Sequence, residues 1–143
     1  MESRVKTAEE KHKKGYNCAQ AIACTYCDLL GMDEETAFRA TEGFGAGMGA
    51  MEGTCGAVSG ATFLAGLKRS TGNLTKPDSK GKTYHLSKEI TRGFQAQNGT
   101  LVCKELKGIG PGKEVLRSCD GCIADAAVLV EKILFPEEEK QEG

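Results

Sequence analysis

The sequence predicts an all-α fold, a compact bundle of about five or six helices. Apolar residues recur at helical spacing, and capping residues stand before several of those stripes. No segment shows convincing strand alternation, and no internal repeat is present. At 143 residues the chain has the length of one domain with its own core, expected to span residues 1–143.

Residues 1–14, rich in Lys and Glu, read as a solvated helix. Gly15 and Tyr16 interrupt it. Asn17 is placed to cap a helix running to about Leu30, since its side chain can accept an orphan backbone N–H. Ala21, Ile22, Thr25, Leu29 and Leu30 form its stripe and Gly31 its stop. Asp33 is the next expected cap, opening a helix to about Glu42 with Glu34 and Glu35 at the positive end of the dipole. The run Gly43–Gly53 has little local preference. Thr54 is expected to cap a helix from Cys55 to Ser70. Residues 71–82 read as an exposed loop, followed by a helix from about Thr83 to Asn98. Thr100 is expected to cap a short turn through Lys107, and Gly108–Gly112 to form a loop. Ser118 caps a last helix to about Leu134, before Pro136 and an acidic tail.

Charge and hydropathy narrow the function. Nineteen Lys and Arg against 20 Asp and Glu leave a net charge of −1. That balance argues against nucleic acid as the main partner and against a polybasic membrane binder. No stretch approaches the roughly 20 apolar residues of a membrane helix, so no membrane insertion is expected. The charged start, Met1 to Lys6, lacks the apolar run of a signal peptide, and the expected location is cytoplasmic.

Seven cysteines are the main functional signal. An odd count without an export signal points to metal binding or redox work rather than a disulfide framework. Cys18, Cys55 and Cys119 each follow an expected cap, and Cys103 lies three residues after Thr100. A helix N-terminus presents free N–H groups and partial positive charge, which favour the thiolate. Four converging helix starts would form one electropositive, sulfur-lined pocket. It could hold an iron–sulfur cluster or zinc, or a reversible dithiol pair. Free cysteine is also a common core filler, and that reading stands beside the functional one.

Cys24 and Cys27 share an edge of one helix and read as filler. A rival pairing of Cys24-x-x-Cys27 with Cys119-x-x-Cys122 would give a four-sulfur zinc site. Gly56 and Gly60 share a face that admits either a bulky cofactor or a neighbouring helix. The glycine run before them could form an anion-binding nest, but it matches neither a dinucleotide fingerprint nor a P-loop. Met48 and Met51 read as fillers. His12 and His85 are expected at the surface, and no Cys–His pair follows from spacing. Basic residues from Lys68 to Arg92 read as a solvated face, with docking of an acidic redox partner as the alternative.

These residues resemble a known family. Cys55-Gly56-Ala57-Val58-Ser59-Gly60 resembles the CGAxxG motif of the C_GCAxxG_C_C family, described as redox-active. Asn17-Cys18-Ala19-Gln20-Ala21 resembles its first cysteine segment and Cys103-Lys104-Glu105-Leu106 its third. Cys119, seven residues before Ala126-Ala127, resembles its fourth. The resemblance covers nearly the whole chain. It implies that Cys18, Cys55, Cys103 and Cys119 are the functional cysteines, while Cys24, Cys27 and Cys122 lie outside the pattern. A related domain in split-Soret-type cytochromes implies a cysteine-bound iron–sulfur centre.

The leading expectation is therefore a cytoplasmic redox or electron-transfer protein. Cys18, Cys55, Cys103 and Cys119 are its metal ligands, beside a cofactor-binding face at Gly56 and Gly60. Cys122 is a competing ligand. The cofactor is an iron–sulfur cluster or another thiolate-bound metal such as zinc, and the partner an unidentified redox protein. The alternatives are a thiol–disulfide oxidoreductase with Cys55 or Cys119 as nucleophile, and a structural zinc protein. The sequence leaves a homodimer open.

Overall fold

A computed structural model describes residues 1–136; the acidic tail beyond Pro136 lies outside the described residues. The fold is all-α, as expected. It contains α1 (Val5–Lys13), α2 (Cys18–Tyr26), α3 (Glu34–Thr41), α4 (Gly56–Arg69), α5 (Lys80–Asn98), α6 (Cys103–Lys107) and α7 (Cys119–Leu134). The seventh helix is the short α6, which the sequence suggested only as a turn.

Local chemistry sets most boundaries. Asn17 closes a capping box on α2: its Oδ1 accepts from the Gln20 N–H, and Gln20 Oε1 accepts from the Asn17 N–H, both at 2.9 Å. The expected helix to Leu30 changes character at Cys27, where a 3-10 turn over Cys27–Leu30 leads into Gly31. Asp33 caps α3 through the Thr36 N–H, and Ser118 caps α7 through the Gly121 N–H.

Two expected caps are not formed. Thr54 pairs in an isolated bridge with Val102, and Cys55 is itself the N-cap residue of α4. Thr100 lies before α6, whose N-cap is Val102. Its hydroxyl instead accepts from the Val102 N–H and donates to Glu105. Further on, α5 begins at Lys80, three residues before the expected Thr83.

Helix α4 packs against α2, α5 and α7, and α1 lies against α2 and α7. Ile22, Tyr26, Val58, Leu64, Ile90, Phe94, Ile123 and Val130 fill the main core. Each such side chain contributes about 1.5–3 kcal/mol of burial free energy. Gly60 allows the closest helix approach, since a Cβ there would lie 2.7 Å from the Ala19 carbonyl oxygen of α2. The face opposite Gly56 and Gly60 is thus filled by α2 rather than open to a cofactor. Gly56 also abuts Cys18, with 3.2 Å from a built Cβ to the Cys18 Cβ, so these small residues seat a cysteine.

Polar contacts tie the ends together. The Tyr26 hydroxyl and the Arg4 N–H both donate to Glu131. Lys11 and Tyr16 donate to Glu34, and Arg4 pairs with Asp28. The Glu34 carboxyl is held below its ordinary range, chiefly by the Lys11 hydrogen bond and then by Tyr16. Asp28 is lowered chiefly by its hydrogen bond from Arg4. A carboxyl with a depressed folded pKa stabilises the fold above its unfolded value, and that contribution is lost as pH falls through the folded value. Both carboxylates are well exposed, so each pair is worth at most about 1 kcal/mol. Lowering the pH from about 7 to about 3 is expected to cost the metal-free protein up to about 2 kcal/mol through these two pairs. The Glu34→Gln, Asp28→Asn double variant should lose correspondingly less, as urea midpoints at the two pH values would measure.

Among the described residues no helix is long and apolar enough to cross a membrane.

Candidate metal centre

The cysteine-bearing ends of α2, α4, α6 and α7 meet at one place. The Cys18 and Cys119 sulfurs lie within 4.8 Å of each other, and Cys55 and Cys122 are close enough to shift each other's pKa. Cys55 acts electrostatically on Cys18, and Cys55 and Cys119 both act on Cys103. The four cysteines singled out in the sequence therefore share one neighbourhood with Cys122, although among the described residues the His, Cys and carboxylate donors that lie within 4.8 Å of one another in a group of three are His12, Cys18 and Cys119. Cys55, Cys103 and Cys122 are buried, while Cys18 and Cys119 are partly exposed.

The glycine run serves as a scaffold for this cluster. It is folded into fixed turns rather than left without structure. Gly47 has φ +57°, and a Cβ there would lie 2.5 Å from the Cys103 Cβ. The Gly53 carbonyl accepts from the Cys103 N–H at 2.9 Å, and the Leu101 carbonyl accepts from the Cys55 N–H at 2.7 Å. These bonds clamp Cys103 beside Cys55. Gly47 meets both demands at once, a left-handed backbone and contact with a sulfur-bearing side chain.

The expected lowering of thiol pKa is realised at Cys55 but not at Cys18 or Cys103. The Cys55 thiol is pulled below its ordinary value by Cys122, against the cost of burial. The Ala57 N–H, Lys107 and the Val58 N–H add to the lowering. Because α4 has no side-chain cap, no side-chain oxygen competes with the Cys55 sulfur for its first N–H groups, although the Val58 N–H also donates to the Cys55 carbonyl at 3.0 Å. Burial dominates elsewhere. It pushes Cys18 up to about 12, reinforced by Cys119 and Cys55, and it raises Cys103. In α2 the Gln20 N–H is taken by Asn17, and α6, at five residues, is too short for a strong macrodipole. Cys122 is raised by Cys55 and by burial.

Sequence reasoning missed two participants, Lys107 and His12, and ranked a third, Cys122, behind the family cysteines. Lys107, half-buried, faces the cluster; burial works against its charge, but Cys122, Cys119, Cys55 and Cys103 outweigh it and raise its pKa. Cys122, which the sequence offered only as a competing ligand outside the family pattern, lies one turn after Cys119 and joins the same face. His12, expected at the surface, has a ring nitrogen within 4.8 Å of the Cys18 and Cys119 sulfurs. Only the packing of α1 on α7 brings it there. His85 is exposed and lies 3.4 Å from Glu89, as a surface histidine should.

Cys24 and Cys27 are elsewhere. They form a small apolar cluster with Ala23 and Ala37, which agrees with their reading as filler. The four-sulfur pairing of Cys24 and Cys27 with Cys119 and Cys122 is not formed, because the α2 segment carrying the first pair faces α3. Met51 is partly buried, whereas Met48 is half exposed and lies over Gly53 rather than filling a core.

A family model described as "Putative redox-active protein (C_GCAxxG_C_C)" matches residues 16–133. Neither a curated protein nor a solved structure matches the chain.

Proposed function

Because the chain belongs to the C_GCAxxG_C_C redox-active family, we propose that its gathered cysteines hold a redox-active thiolate metal centre used in electron transfer or redox sensing. The observation that carries this reading is the convergence of five thiols at one site. Four thiolates suffice in number for an iron–sulfur cluster or a tetrahedral ion; since the donor atoms within 4.8 Å of one another are His12, Cys18 and Cys119, a single ion would need the buried thiols to draw in, whereas a cluster spans a wider set. The electrostatics support the same reading. Cys18, Cys103 and Cys122 resist deprotonation because of burial and neighbouring sulfur, and one lysine is too little positive charge to offset several thiolates. A metal cation supplies the missing charge and deprotonates its ligands outright.

When bound, an iron–sulfur cluster would supply one-electron chemistry to the site. The chain's own parts would do the rest. Cys18, Cys55, Cys103 and Cys119 serve as ligands, with Cys122 as the neighbour of Cys55 or as alternative ligand. Lys107 and the Ala57 and Val58 N–H groups hold negative charge on sulfur.

A second reading has one feature in its favour, the pairing of Cys55 and Cys122, which lowers the pKa of the first thiol and raises that of the second. Here the Cys55 thiolate attacks a partner disulfide and expels one partner thiolate. Cys122, losing its proton, then displaces the second, leaving a Cys55–Cys122 disulfide and a reduced partner dithiol. Access weighs against it, since Cys55 is 1% and Cys122 0% exposed.

Anaerobic purification followed by visible absorption, iron, acid-labile sulfide and zinc analysis separates the outcomes. Iron with sulfide and visible colour are expected. Colourless protein with stoichiometric zinc would replace the redox role with a structural one. Metal-free protein that reduces a model disulfide would establish the second reading instead.

A further inference from the structure

We propose that His12 is a nitrogen ligand of this centre, oriented by Asp120, so that its solvent-facing side is a mixed imidazole–thiolate set of His12, Cys18 and Cys119. The inference rests on the metal-centre reading and exchanges one of its two buried thiolates, Cys55 or Cys103, for a donor that lies outside the cysteine pattern.

Geometry is the first support. The His12 ring nitrogen and the two sulfurs lie within 4.8 Å of one another. Ligand atoms on one tetrahedral ion sit about 3.5–3.8 Å apart, from metal–sulfur and metal–nitrogen bonds of about 2.3 and 2.0 Å. Side-chain shifts of about 1 Å would close the difference, well within rotamer adjustment at a partly exposed site.

Orientation is the second. His12 Nδ1 lies 2.9 Å from Asp120 Oδ1. A carboxylate only accepts, so Nδ1 carries a proton, and in the neutral ring that leaves the lone pair on Nε2 for a ligand. A carboxylate on the far ring nitrogen is the usual outer partner of a metal-bound histidine, fixing its tautomer and raising its basicity. Cys119 and Asp120 are consecutive in the first turn of α7, so one turn supplies a sulfur donor and the group that orients the nitrogen donor. A mere surface ion pair would explain the contact with Asp120 but not the placement of the same ring against two thiols.

The consequence concerns tuning and access. Replacing one thiolate by neutral imidazole removes a negative charge from the centre, which favours its reduced state. His12, Cys18 and Cys119 are all partly exposed, whereas Cys55, Cys103 and Cys122 are buried. Electrons would enter from the imidazole side.

The test uses cobalt(II) and zinc(II) as probes of the full chain under anaerobic, reducing conditions. Sulfur-to-cobalt charge-transfer bands are expected in the unaltered protein. His12→Gln should keep those bands, shift the d–d bands and bind cobalt about 10–100-fold more weakly, and Asp120→Asn should weaken binding about tenfold. X-ray absorption of the zinc-loaded unaltered chain should show imidazole scattering beside sulfur, a result independent of how either variant folds. Sulfur-only scattering, or an unchanged His12→Gln titration, overturns the proposal while leaving the thiol centre standing. An unaltered chain that binds neither metal overturns both.

Discussion

Cys55→Ser is expected to remove nearly all bound metal from the anaerobically purified protein while leaving the fold intact. Outer-sphere substitutions around metal ligands cost about 10–100-fold in affinity, and loss of a ligand should exceed about 100-fold. Cys55 is the cysteine whose surroundings most favour a thiolate, through Cys122, the Ala57 and Val58 N–H groups and Lys107. Serine is nearly isosteric and stands at an N-cap position, where its hydroxyl can accept from the same N–H groups. The metal-free variant should therefore unfold within about 1 kcal/mol of the parent. Cys24→Ser and Cys27→Ser provide the contrast, since they lie in a separate apolar cluster and should leave metal content unchanged. Full metal content in Cys55→Ser would refute its role as a ligand, and loss in all three variants would show that cysteine substitution in general damages the protein. Metal, sulfide and visible absorbance per chain are the measurements.

Asp125→Ala is expected to be the more damaging change to the fold. Asp125 is 7% exposed and accepts from four donors on two segments: Gln97 at 3.2 Å and Asn98 at 3.1 Å on α5, and Arg117 Nε and Nη2, both at 3.0 Å. Removing the carboxylate strands those donors. Breaking a buried charged pair costs about 3–5 kcal/mol, and the partial exposure of Arg117 places this case near about 3 kcal/mol. Asp125→Asn keeps part of the acceptor set and should cost about half as much. The network also joins the end of α5 to the segment leading into α7, so it positions Cys119 and Cys122. Urea unfolding of the metal-free protein would measure the stability term, and cobalt titration the second effect. A change below about 1 kcal/mol would mean that water satisfies these donors.

Most of the fold could be read from local chemistry. The Asn17, Asp33 and Ser118 caps and the apolar stripes mark helices whose formation depends on residues three or four positions apart. Two boundaries were misjudged for the same reason. Thr54 and Thr100 are good capping residues, but Thr54 pairs with Val102 in a bridge, and that puts the helix start at Val102, with the Thr100 hydroxyl turned to the Val102 N–H and Glu105. The glycine run gave no local instruction, because its conformation is set by contacts with Asn17 and Cys103.

The site divides along the same line. The sequence by itself determined the helices, the family and four of the five clustered cysteines, since helix starts and the CGAxxG motif are encoded by near neighbours. Only the tertiary structure decided the fifth thiol, Lys107 and His12, and which thiol has its pKa lowered. Those depend on burial and on partners as far apart as His12 and Asp120, 108 residues along the chain. Electrostatic and coordination chemistry act through space over a few ångströms, and sequence spacing does not report such distances.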